Sequence, residues 1–141
     1  MGDFRKVEVW KKSMVLVTEI YRITKDFPNF EKFGGLVSQM TRAATSIPSN
    51  ISEGCKREYD KEYYYFLRIA RGSIGELQTQ LYISVNVGYL REDDIEHAIS
   101  LSIEIDRMLY SLIRRLSVNH QNRVMSDVED YDYHLNNSDG F

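Results

Sequence analysis

The sequence has one cysteine, two prolines and three histidines among 141 residues, and each scarcity removes a class of protein. A lone Cys55 excludes an internal disulfide and leaves a structural zinc site without its usual thiolates. Apolar runs fall far short of the roughly 20 residues that a membrane-spanning helix needs. The charged opening, MGDFRKVEVW, lacks the apolar centre of a secretion signal, so a cytoplasmic protein without membrane contact is expected. Glu-x-x-His pairs, which hold metals in carboxylate-bridged helical bundles, are absent; Asp94-x-x-His97 is the nearest match and occurs once. Lys56 and Arg57 would lower the pKa of a thiol beside them, but no histidine is near Cys55 in sequence, and a buried, inert thiol is the simpler reading. RGSIG lies inside a helical pattern and cradles no phosphate. No catalytic residue, metal or cofactor is expected.

Charge is scarce in a different way. The formal net charge is −3, yet from Val118 onward there are five acids (Asp127, Glu129, Asp130, Asp132, Asp139) against one base, Arg123. The remaining residues, 1–117, are close to neutral. The low overall pI therefore says little about what that part binds.

What the chain does have is helical periodicity. The first helix is expected near 5–26, with Val7, Trp10, Met14, Val17, Tyr21 and Thr24 at alternating steps of three and four. The second, near 36–54, carries Leu36, Met40, Ala43, Ile47 and Ile51. The third, near 61–87, carries Tyr63, Leu67, Ala70, Ile74, Leu77 and Leu81, with Asp60 as its expected N-cap. The fourth opens at REDD, whose acids suit the positive end of a helix dipole, and runs through Leu116. Alternation typical of strands is missing. Short connections favour antiparallel neighbours, so the expected architecture is an all-α, antiparallel four-helix bundle over 1–117. The polar segment 118–141 is expected to be a disordered or loosely held tail.

The first helix also carries a second stripe: Val9, Leu16, Ile20, Ile23 and Phe27. Together the two stripes span an apolar arc of roughly 200°, more than a lone bundle needs. The second stripe is expected to be an oligomer interface, since broad apolar patches are unusual on monomers.

Pro48 removes one amide donor and should bend the second helix. Asn50 and Glu53 follow on one side, answered by Ser73 and Glu76 on the third helix. Small residues at Ala43, Ala44, Ser46, Gly72, Ser73 and Gly75 would let those helices approach closely. These four polar groups are expected to form a buried layer that fixes register. Paired catalytic carboxylates are the rival reading of Glu53 and Glu76. Lys61, Arg68 and Arg71, with Tyr64 between them, share an outer face of the third helix, and Lys56 and Arg57 lie just before it. Cations interleaved with a tyrosine suit phosphates and a stacked base; a face charged only for solubility is the alternative. Arg114 and Arg115 read more simply as dipole partners at the end of the fourth helix.

QMTRAATSIPSNISEGCKR followed by YYYFLRIARGSIGELQTQLYISVNVGYL resembles the four-helix-bundle proteins of bacterial 23S ribosomal RNA intervening sequences, which are related to accessory proteins of diversity-generating retroelements. The likeness runs over roughly 4–117, and its most specific parts are Ser46-Ile47-Pro48-x-Asn50-Ile51-x-Glu53-Gly54 and Ile69-Ala70-x-Gly72-Ser73-x-x-Glu76-Leu77. The resemblance implies a homopentameric ring and a non-enzymatic role linked to RNA or DNA. For the retroelement members it implies contact with a reverse transcriptase through a basic surface, from which this near-neutral chain departs. A scaffold that binds only protein is the competing function.

Overall fold

The computed structural model describes residues 2–137, with side chains described through residue 126. Four long helices carry the fold: α1 (Glu8–Ile23), α3 (Leu36–Lys56), α4 (Asp60–Asn86) and α5 (Glu92–Asn137). A single-turn α2 (Asn29–Lys32) bridges α1 and α3, and a 3-10 turn at Phe4–Lys6 precedes α1. Each long helix packs on two others in the order α1, α3, α4, α5, closing with α5 against α1. Neighbours run antiparallel. Lys56 at the end of α3 lies over the ring of Phe4, Arg71 and Gln78 of α4 bond Asp106 and Ser102 of α5, and Lys12 of α1 pairs with Glu104 of α5.

Local chemistry sets the boundaries. Gly88, at φ 83°, takes the left-handed position after α4, and the amide of Tyr89 donates back to Ser84 O at 2.9 Å. The amide of Arg91 donates to Asp94 Oδ2 at 2.8 Å, closing the first turn of α5. Asp60 does not cap α4 as expected. It is the first helical residue, behind Tyr59, and its carboxylate faces Arg123 at 3.4 Å instead.

The core corrects the reading of α1. Val9, Leu16, Ile20, Ile23 and Phe27, expected at an oligomer interface, are buried inside the chain's own bundle; Leu16 is 0% exposed. The other stripe is mixed: Met14 and Tyr21 are 41% and 58% exposed, Val7, Trp10 and Val17 are half-buried against the core edge, and Thr24 is buried. Ser13 hid the true pattern. It is fully buried, completes the spacing Val9, Ser13, Leu16, Ile20, Ile23, Phe27, and spends its hydroxyl on Trp10 O at 2.6 Å. A serine so satisfied behaves as a small core residue, and the stripe it belongs to is otherwise apolar. The core stripes expected on α3 and α4 are buried except at their first residues, half-buried Leu36 and Tyr63: Met40, Ala43, Ile47 and Ile51 share the core with Leu67, Ala70, Ile74, Leu77 and Leu81. Ile95, Ala98, Ile105, Leu109 and Ile113 close the core from α5.

The expected tail, 118–141, falls partly outside the described residues, which end at 137. Helix α5 passes residue 117 without interruption and continues to Asn137. No glycine or proline occurs between Gly88 and Gly140, so nothing local stops a helix once the bundle has nucleated it.

Candidate nucleic-acid interface

The polar groups on α4 divide between its two seams. Toward α3, Ser46 Oγ and Ser73 Oγ lie 2.8 Å apart. Asn50 Nδ2 donates to Ser46 O at 2.8 Å and to Ser46 Oγ at 2.9 Å. These short side chains form the register-fixing layer, joined by the close approach at Gly54, where an added Cβ would sit 2.7 Å from the Tyr63 ring. Glu53 and Glu76 do not belong to it. Glu53 is solvent-exposed and reaches Arg57 at 2.6 Å, and Glu76, also exposed, accepts from Gln80 Nε2 at 3.3 Å. Nor do Gly72 and Gly75 touch α3, for both face open space. Helical spacing put all these residues on one broad side, and the long carboxylates swung outward to water, where ionisation costs least.

Cys55 is buried, and its thiol donates to Tyr63 Oη at 3.4 Å. Burial first, and then this hydrogen bond, push the Tyr63 phenol far above its ordinary value. A thiol held in this way is packed rather than poised. Among the described residues, no three His, Cys, Asp or Glu side chains cluster as metal ligands.

Toward α5 the chemistry changes. Arg71 forms a forked pair with Asp106, Nε to Oδ1 at 2.7 Å and Nη2 to Oδ2 at 3.2 Å, and this bond raises the arginine's pKa further. Its guanidinium lies 5.3 Å from the Tyr110 ring centre, and Arg114 lies 5.9 Å from the same ring. Three residues toward the start of α4, Arg68 sits over Tyr64 at 5.6 Å and donates to its hydroxyl at 3.4 Å. Lys61 and Arg68 meet no acid within ion-pair distance among the described residues. Beyond them α4 and the extension of α5 border a depression of about 1010 Å³, walled by Tyr64, Tyr65, Ile69 and Leu116 and edged by Lys61 and Arg68.

The six residues expected to touch nucleic acid are thus only partly brought together. Lys61, Tyr64 and Arg68 converge. Arg71 adjoins them but is held by Asp106. Arg57 lies at the far rim, paired with Glu53 and 3.9 Å from Glu62, with its guanidinium 5.0 Å from the Phe66 ring. Lys56 points away, over Phe4 at 5.8 Å. The sequence reading missed what α5 adds: Tyr110, Arg114, Ser117, His120 and Gln121. Because α5 does not end near 117, Arg114 and Arg115 are interior residues rather than dipole partners at a terminus. The heptad spacing of Arg107, Arg114 and Gln121 was the available signal.

This bundle, with its serine layer behind Pro48 and its cationic outer face, can be set beside known proteins. The family model described as 23S rRNA-intervening sequence protein matches residues 5–111. The chain belongs to that family. One solved structure, a protein with unknown function from the S23 ribosomal protein family of Bacteroides thetaiotaomicron, is 27% identical with a TM-score of 0.68, covering 74% of this chain and 97% of that one. No curated protein matches. The 23S rRNA-intervening sequence stretch includes Lys61, Tyr64, Arg68, Arg71 and Tyr110, whereas Arg114 and the α5 extension lie past its end. None of the described helices is long and apolar enough to cross a membrane.

Proposed function

We propose that this chain is a non-catalytic bundle that binds RNA or DNA through the outer face of α4 and α5. The observation that carries the reading is the pair Lys61 and Arg68, free of acid partners among the described residues and set at the edge of an aromatic depression. Acids near the face are already engaged: Asp106 by Arg71, Asp60 by Arg123, and Glu62 beside Arg57. Phosphates would therefore meet the unspent cations. A solvated face would not require its arginines to be stacked on tyrosines, which restrains them and lowers the entropy lost on binding. The family's name, tied to an intervening sequence of 23S rRNA, is consistent with a nucleic-acid role. Replacing Lys61 and Arg68 together by Glu should weaken binding of a labelled RNA about a hundredfold or more, with helicity unchanged. Unaltered affinity would refute the assignment.

Self-association is the second part of the reading, and it moves to a new surface. Met14 and Tyr21 are exposed beside half-buried Trp10 and Val17 on α1, an apolar strip unusual for a monomer. A closed homo-oligomer formed through this strip would repeat the cationic face and multiply weak contacts by avidity. Met14→Lys combined with Tyr21→Lys should reduce the particle mass in light scattering; an unchanged mass would contradict this surface.

A further inference from the structure

Tyr65 stands apart from the tyrosines around it. Tyr63 is turned toward Cys55, and the Tyr64 ring is covered by Arg68. Tyr65 is 60% exposed, and the Phe66 ring, 5.4 Å away at 76°, braces it edge to face. It opens onto the depression of about 1010 Å³, where His120 and Gln121 of α5 supply imidazole and amide groups and Ser117 a hydroxyl oxygen, while the acids Asp60 and Glu62, which also line it, face Arg123 and Arg57. A braced aromatic face, cations at the rim and a few hydrogen-bonding groups form the chemistry that receives a flat, polar-edged ring attached to a phosphate chain.

Resting on the nucleic-acid reading above, we infer that Tyr65 is a stacking platform for an unpaired nucleobase, so that the ligand is a single-stranded segment rather than a duplex. A duplex keeps its bases stacked on one another. It can touch Lys61 and Arg68 with its phosphates but cannot fill the depression. In a single strand, Arg68, steadied on Tyr64, holds a phosphate while the neighbouring base lies on Tyr65. An apolar peptide would cover the tyrosines but leave both cations without partners.

Fluorescence anisotropy at low salt can test this with a labelled strand of about 12 nucleotides, as RNA and as DNA, and with the same sequence in a blunt duplex. The single strand should bind about tenfold or more tightly than the duplex. Tyr65→Ala should erase that difference while leaving duplex binding in place, and Tyr65→Phe should retain it. Since Tyr65 is exposed, neither variant should perturb folding. Equal affinity for strand and duplex, untouched by Tyr65→Ala, would overturn the platform yet leave the cationic face standing. Failure of every nucleic acid to bind at low salt would overturn both readings and leave a protein ligand for the face.

Discussion

The two seams of α4 use polarity in opposite ways. Against α3 the polar groups are short and uncharged: Ser46, Asn50 and Ser73 bond one another and the helix backbone within a tightly packed contact. Against α5, besides the uncharged pair of Gln78 and Ser102, they are long and charged: Arg71 pairs with Asp106, and Arg68, Arg71 and Arg114 lie over tyrosine rings beside an open depression. Short side chains that satisfy their own backbone can be buried at little cost, whereas guanidinium groups need water, an acid or a ligand. One helix therefore carries structural polarity on one side and, in the proposed function, recognition polarity on the other. Charge alone does not separate them, as Glu53 shows; reach and partner do.

The sharpest way to break this division is through α1, where core and surface stripes were easy to confuse. Leu16→Ala should cost about 3 to 4 kcal/mol in denaturant unfolding, because it opens a cavity in a fully buried site. Met14→Ala, two positions away on the exposed strip, should cost less than about 0.5 kcal/mol in the unassociated chain. Equal losses would mean that the stripes are wrongly assigned. Next in size, Asn50→Ala should destabilise by about 1 kcal/mol through the loss of its two hydrogen bonds to Ser46. Glu53→Ala should stay within about 0.5 kcal/mol, since its ion pair with Arg57 is largely in water. The reverse order would restore the carboxylate to the buried layer. Smallest, Gly72→Ala should raise stability by about 0.5 to 1 kcal/mol, because its Cβ meets nothing within 4 Å and alanine favours the helix.

Much of the bundle was legible because α3 and α4 repeat their apolar residues at clean helical spacing, with Gly88 and the acids of REDD marking ends. Two features obscured the rest. Buried hydroxyls at Ser13, Thr24 and Ser102 look polar in sequence, yet each donates to a carbonyl three or four residues back; Ser13 is the one that hid α1's core stripe. Partner choice was equally hidden. Arg71 and Lys61 look alike along α4, but among the described residues only Arg71 meets an acid, Asp106, which is 35 residues away in the chain. The residues of α5 that line the depression, Ser117, His120 and Gln121, fall at or beyond the start of a segment whose polar composition suggested a tail. Glu19 illustrates the same limit: it is largely buried in α1, and Arg22, bonded to it at 2.6 and 2.9 Å, holds its carboxyl below the usual range.

The claim that α4 and α5 form a phosphate-binding face is tested most directly by the salt dependence of RNA affinity. If Lys61, Arg68 and Arg114 each displace a counterion, log affinity should fall against log salt with a slope near −2 per chain, and Arg68→Gln should make that slope shallower by somewhat under 1. A flat salt response, or a slope that Arg68→Gln leaves unchanged, would contradict it.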